Sequence, residues 1–152
     1  LNETIHEVAE ALQSSDRKDI KVNFWFEIPE KTSVHANKER MKQVFLNLFL
    51  NSAEAAGDRE VNIIIRSTDG KSGLIKIDII DDGPGIPVSA KNRIFDPFFT
   101  TKAEGTGLGL ATVARILKAA KGEIHLLPSE KGAHFQLVVP ASSSMELVGA
   151  RK

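Results

Sequence analysis

Cysteine is absent from all 152 residues, which excludes disulfides, thiolate zinc sites and cysteine nucleophiles together. An excess of either charge is absent as well. Twenty Lys and Arg balance 20 Asp and Glu, so the overall field favours neither nucleic acid nor an anionic membrane surface, and any bound polyanion must be met locally. No apolar run approaches the ~20 residues of a membrane span, and no signal peptide opens the chain. The expectation is a cytoplasmic domain with no nucleic-acid partner and no direct membrane contact. The chain opens at Leu1 in a helical pattern without an initiator Met, as expected of a piece of a longer protein whose anchor, where it has one, lies elsewhere. Its length suits one domain with a sizeable core.

What is present is a mixed order of elements. Ile5, Val8, Ala9 and Leu12 share one face at helical spacing within residues 3–14. Residues 21–28 are rich in aromatic and β-branched side chains and stop at Pro29, which predicts a strand. A long apolar helix is predicted over 38–56, ended by Gly57, and a second over about 107–120, closed by Gly122. Residues 61–67 and 74–80 flank a turn rich in Gly, Asp and Ser, and 123–127 and 134–139 flank Glu130-Lys131-Gly132; each pair predicts an antiparallel hairpin. This order predicts an α/β fold with a mixed, mostly antiparallel sheet and its helices packed on one face. The domain is expected to occupy 1–140, with 141–152 a flexible tail.

Three segments carry chemistry. On the helix over 38–56, Gln43, Asn47 and Asn51 follow one another at spacings of four and share a stripe of an otherwise apolar surface. An unpaired buried amide costs about 1–3 kcal/mol. A single such Asn is most simply bonded to a loop; three in register suggest a polar cavity wall, with an oxygen ligand suited to magnesium that leans on phosphates. Asp81 stands at the end of an alternating strand, and Gly83 and Gly85 around Pro84 turn the backbone sharply and leave room for a ligand. There Asp81 can accept from an amino group such as adenine's, although these residues alone do not choose adenine over another donor. Asp82 is most simply a residue that bonds backbone amides of the turn. Gly105, Gly107 and Gly109 open the second long helix, where exposed backbone N–H groups receive phosphate, and Lys102 adds a point charge. Two other phosphate motifs are excluded. Gly70-Lys71-Ser72 lacks the glycine a Walker loop needs, because position 65 is Ile, and Leu110 stands where a Rossmann fingerprint needs its last glycine.

Together these segments resemble the catalytic, ATP-binding domain of sensor histidine kinases, within the superfamily shared with DNA gyrase, Hsp90 and MutL. Residues 43–56 resemble the family's N box, 81–87 its G1 box, 95–99 its F box and 105–111 its G2 box, in the right order. The run Phe95 to Lys102 resembles the nitrogen-regulation kinases. The resemblance implies a two-layer sandwich of the Bergerat type that binds ATP with Mg2+. It implies that Asp81 recognises the adenine amino group, that Gly83, Gly85 and Ile86 line the adenine pocket, and that Asn51 coordinates magnesium. Asn47 and Lys102 would be the catalytic residues at the phosphates. Lys102, Thr106, Gly107, Leu108 and Gly109 would hold the phosphate tail, under a mobile lid at 100–106. The implied reaction is transfer of the γ-phosphoryl group to a histidine on a separate dimerisation and phosphoacceptor domain, with a response regulator receiver domain downstream. On this basis the chain alone is expected to be monomeric and the full kinase a homodimer.

Departures from the pattern narrow the function. Gyrase-like hydrolases carry a water-activating Glu four residues before the magnesium Asn; here that position is Asn47, so efficient hydrolysis is not expected. Asn37 stands where many histidine kinases have Asp, and Glu54 where some relatives have a phosphate-binding Lys. His6 precedes Glu7 but lacks the sequence of a phosphoacceptor box and is expected to be an ordinary helix-surface residue. His35, His125 and His134 show neither metal spacing nor triad partners. An ATPase clamp of the gyrase or Hsp90 type and a nucleotide-binding regulator like the anti-sigma factors remain as alternatives.

Overall fold

The apolar spacing of the first segment becomes helix α1 (Asn2–Gln13) in a computed structural model that describes residues 1–100 and 107–142. Its buried side includes Ile5, Val8, Ala9 and Leu12, the face that the spacing predicts. There follow β1 (Val22–Glu27), α2 (Lys38–Ala56), β2 (Val61–Asp69), β3 (Leu74–Asp81), α3 (Gly109–Ala119), β4 (Glu123–Leu127) and β5 (His134–Pro140). Both predicted hairpins form. The sheet order is β1-β2-β3-β5-β4, antiparallel except for the pair β1 and β2. That parallel pair needs a long crossover, and α2 provides it.

Alternation along the strands sorts the sheet into two faces. Ile63, Ile65, Ile77, Ile79, Phe135 and Leu137 are buried in one cluster with Val44, Phe45, Leu48 and Phe49 of α2 and Val113 and Leu117 of α3. The opposite face mixes polar residues with apolar ones such as Trp25, Ile64 and Ile80. Register sets Glu27, Arg66, Asp78, Gln136 and His125 in one row across all five strands. Arg66 donates to Glu27 at 2.6 Å, and Asp78 accepts from Gln136 at 3.1 Å.

Local chemistry fixes the ends of α2. Asn37 is its N-cap, and its side-chain oxygen accepts from the Arg40 amide at 3.0 Å; Gly57, at φ +64°, ends it. The start of α3 differs from expectation. The helix begins at Gly109 rather than 107, because Gly107 lies at φ +73°, outside the helical region, and its carbonyl accepts from the Phe98 amide at 2.9 Å. A Cβ at Gly107 would lie 2.3 Å from the Phe98 carbonyl carbon, so this approach requires glycine. At the other end, Ala141 and Ser142 are tied back: their amides donate to Gly73 at 2.8 Å and Ser33 at 3.1 Å. Residues 143–152 lie outside the described residues.

The cap yields the first prediction. Replacing Asn37 by Ala removes the side-chain acceptor of the first turn of α2 and lowers stability by about 1 kcal/mol in urea denaturation, whereas Asn37→Asp stays near wild type.

Candidate functional site

Between α2 and the start of α3 lies a cavity of about 270 Å³. Asn47, Leu50, Asn51 and Glu54 of α2 form one wall, and Gly107, Gly109 and Leu110 face them. Gly85, Ile86 and Pro87 after β3 close a third side, with Ile94, Phe99 and Thr100 of the segment before 101. Phe99 is braced from outside by Arg93, whose guanidinium carbon sits 4.7 Å from the ring centre. The walls thus offer an apolar part suited to a flat ring and a polar part of amides and backbone. No Lys, Arg or His is among the described residues that line it.

The expected polar stripe is realised in shifted form. Asn47 and Asn51 line the cavity, but Gln43 is exposed and does not, and Glu54 takes the third place. Gln43 and Glu54 are 11 residues apart, which on a helix of 3.6 residues per turn leaves them within about 20° of one direction, so it is the rise of about 16 Å along the axis that separates Gln43 from the place Glu54 takes. Asn47 also donates to the Gly109 carbonyl at 3.3 Å, which joins α2 to the first residue of α3. Asn47, Asn51 and Glu54 are hard oxygen donors. Among the described residues no group of three His, Cys, Asp or Glu side chains stands ready to cage a metal, so this set fits a cation that keeps waters and shares its ligands with a bound anion.

Asp81 lies behind this cavity rather than on its wall. It is buried at the end of β3, where its Oδ1 accepts from the Gly83 amide at 3.0 Å and the Ala133 amide at 3.1 Å. Its Oδ2 accepts from the Ser52 hydroxyl at 2.7 Å. Gly83 is buried too and borders a second hollow, shared with the turn between β4 and β5. Gly85 and Ile86 border both hollows, so the loop after Asp81 is the partition between them. Leu108 is exposed and is not among the residues that line the cavity, whereas Gly107 and Gly109 are. Lys102 and Thr106 lie outside the described residues.

Two partners of Asp81 are invisible to sequence reasoning. Ser52 follows the expected ligand Asn51 and faces inward, and Gly132 looks like an ordinary hairpin glycine. A Cβ on Gly132 would fall 1.9 Å from the Asp81 carbonyl oxygen, so only glycine lets this turn close on the strand end. A small polar residue amid the buried face of α2 was the one signal available for Ser52. Asp82 bonds a backbone amide as expected, but on the neighbouring strand: it accepts from the Asn62 amide at 2.7 Å and side chain at 2.8 Å. Burial alone would raise its carboxyl; the hydrogen bonds from Asn62 outweigh that and hold it below the usual 3.8. His6 departs from the surface role expected of it, since it is half-buried with its ring 3.9 Å from that of Phe26.

Comparison with known proteins follows this geometry. Residues 36–143 match the family described as "Histidine kinase-, DNA gyrase B-, and HSP90-like ATPase". The sensory histidine kinase/phosphatase NtrB of Rhizobium leguminosarum bv. phaseoli is 32% identical over 164 residues, covering 99% of this chain and 43% of that protein. The signal transduction histidine-protein kinase AtoS of Escherichia coli (strain K12) is 39% identical over 143 residues, covering 92% of this chain and 23% of that protein. The chain therefore spans less than half the length of these curated relatives. Among solved structures, the nucleotide-free catalytic domain of histidine kinase ThkA superposes with a TM-score of 0.79 at 38% identity, over 92% of this chain and 91% of that one. ThkA in complex with the response regulator protein TrrA gives a TM-score of 0.74 at 33% identity, over 93% of this chain and 40% of that one.

The Asp81 network can be tested without any ligand. Ser52→Ala leaves a buried carboxylate oxygen without its donor and is expected to cost about 1–3 kcal/mol in urea denaturation, far more than the loss of an exposed hydroxyl.

Proposed function

The chain belongs to the histidine kinase-, DNA gyrase B- and HSP90-like ATPase family, and from that premise we propose that it binds ATP with Mg2+ in the cavity between α2 and α3 and presents the γ-phosphoryl group to a histidine carried by a separate dimerisation domain. The observation that carries this reading is the facing pair of walls: the amides of Asn47 and Asn51 on α2 oppose the glycine-led start of α3, with Ile86, Ile94 and Phe99 at the apolar side. The apolar side takes the base. Gly85 and Ile86 border it, Gly83 is proposed to line it from the other side of their loop, and Asp81 reads the adenine amino group from behind that loop. An ionised carboxylate offers about four acceptor positions, and the described donors take three, so one is left for a direct or water-bridged contact.

At the polar end the backbone of Gly107, Leu108 and Gly109 receives phosphate oxygens, aided by the positive end of α3. Lys102 and Thr106 are proposed to complete this grip. Asn51, with Asn47 beside it, would hold the magnesium ion, which when bound neutralises charge on the transferring phosphoryl group. Asn47 itself is an amide, already donating to Gly109, and cannot take a proton from water as a carboxylate would. Position 47 therefore offers no base to activate water, and Glu54 is the one carboxylate among the described lining residues. No histidine lines the cavity among its described residues; His6 packs on Phe26, and His134 lies 2.7 Å from Asp78 on the far face of the sheet. The nucleophile must then come from another domain, where its imidazole attacks phosphorus in line and ADP leaves.

The complex of ThkA with a response regulator supports a receiver domain as the next partner of the phosphohistidine, and a homodimeric parent kinase with a monomeric isolated chain completes the proposal. Among the described residues no helix is long and apolar enough to cross a membrane, and a cytoplasmic location is part of the same proposal.

Calorimetry and a phosphate-release assay test it together. The purified chain should bind ADP and ATP in the presence of magnesium and release almost no phosphate. Asp81→Asn should lose at least roughly tenfold in affinity, the effect of about 1.4 kcal/mol or more from one buried charged contact. Vigorous ATP hydrolysis would instead favour an ATPase clamp, and unchanged binding by Asp81→Asn would remove the adenine role.

A further inference from the structure

Two successive turns lead from the core to the cavity wall, and their equal steps bring Arg93 back against Phe99. The Asp96 amide donates to the Arg93 carbonyl at 3.0 Å, and the Phe99 amide donates to the Asp96 carbonyl at 3.2 Å. Backbone wound at a step of three sets such side chains on one side. Ile94 and Phe95 anchor the segment: Ile94 is buried, and the Phe95 ring meets that of Phe135 edge-on with centres 6.3 Å apart. Phe99 lies beyond this anchor, partly buried, and lines the cavity with Ile86 and Ile94. The guanidinium carbon of Arg93 sits 4.7 Å from the centre of its ring. Arg93 itself is exposed and is not among the lining residues; its Nε lies 3.9 Å from the Asp96 carboxylate, on the same side of the turns. A guanidinium gains from the negative face of a ring only while the ring stays beneath it, so turning Phe99 out of the wall forfeits that contact.

We propose that Arg93 is a positioning residue for the base: it holds the Phe99 ring in the apolar wall against which the purine lies, without touching the nucleotide. The inference rests on assignment of the cavity to an adenine nucleotide, and it places the effect of Arg93 on the base and not on the phosphates. A cation over a partly exposed ring is worth roughly a twofold to fivefold factor in a binding constant. Because Arg93 is exposed, its replacement leaves the core untouched.

Calorimetry with ADP and with ATP, both in excess magnesium, compares wild type, Arg93→Ala, Arg93→Lys, Phe99→Leu and the double variant Arg93→Ala/Phe99→Leu. Arg93→Ala should raise both dissociation constants by about twofold to fivefold and by the same factor, since the ring serves the part that the two ligands share. Arg93→Lys, which keeps a cation, should bind more tightly than Arg93→Ala. In the Phe99→Leu background, where no ring remains for the cation to hold, Arg93→Ala should change neither constant. An equal loss on Arg93→Ala in both backgrounds overturns the proposal. So does a loss confined to ATP and abolished by salt near 1 M, the mark of a direct pull on the phosphates. Should Phe99→Leu fail to fold, the ADP and ATP comparison and the lysine variant decide: unchanged binding by Arg93→Ala, or a loss in Arg93→Lys as large as in Arg93→Ala, overturns the role. A wild type that binds neither nucleotide overturns the assignment of the cavity itself.

Discussion

A buried carboxylate needs partners, and Asp81 draws its partners from three different parts of the chain. Ser52 comes from α2, Gly83 from the loop that follows β3, and Ala133 from the turn between β4 and β5. Removing an ion from water costs several kcal/mol unless hydrogen bonds replace the lost solvent. Folding can therefore bury Asp81 only when helix, loop and hairpin all reach their native places. The Gly132 turn closes directly on the Asp81 backbone, which leaves no room for a side chain there. The same contacts that satisfy the charge hold the partition formed by Gly85 and Ile86, and so shape the cavity in front of it.

The cavity's two walls rest on this arrangement in different ways. α2 is packed into the core through Val44, Phe45, Leu48 and Phe49, so the polar face that carries Asn47 and Asn51 has little freedom to move. α3 is anchored through Val113 and Leu117, while its first residue is linked to α2 by the Asn47 hydrogen bond. Packed walls with glycine at 107 and 109 suit a site that positions a ligand. Transfer of a phosphoryl group asks the protein chiefly for positioning and electrostatics, with little covalent work of its own. Asn47 is an amide and no histidine is among the described lining residues, and the proposed presentation of a nucleotide to another domain builds on both.

Much of this was legible in residue order because it rests on local rules. Periodicity marks α1, α2 and both hairpins, and Gly57 marks the end of α2, whereas the Asn37 cap emerges only in the structure. The parallel pairing of β1 with β2 was not legible, since register between distant strands depends on tertiary packing. The three-glycine run suggested a helix start two residues too early, because Gly107 serves a left-handed turn against Phe98 before the helix opens. Gln43 looked like part of the site, yet it stands about 16 Å along the helix axis from Glu54, which shares its direction and lines the cavity instead. Ser52 and Gly132 escaped notice for the same reason: their importance is a contact across the fold with Asp81, and neither residue type announces it locally.

The central claim is the proposal that this chain holds ATP in a cavity whose position 47 supplies no water-activating base and whose described lining holds no accepting histidine. The most direct measurement mixes the purified chain with γ-labelled ATP, magnesium and the separately purified phosphoacceptor domain of its parent protein, and follows the label. The account predicts acid-labile label on a histidine of the added domain, and none on this chain with or without that domain. Label on one of this chain's own four histidines, or label appearing only as free phosphate, would contradict it.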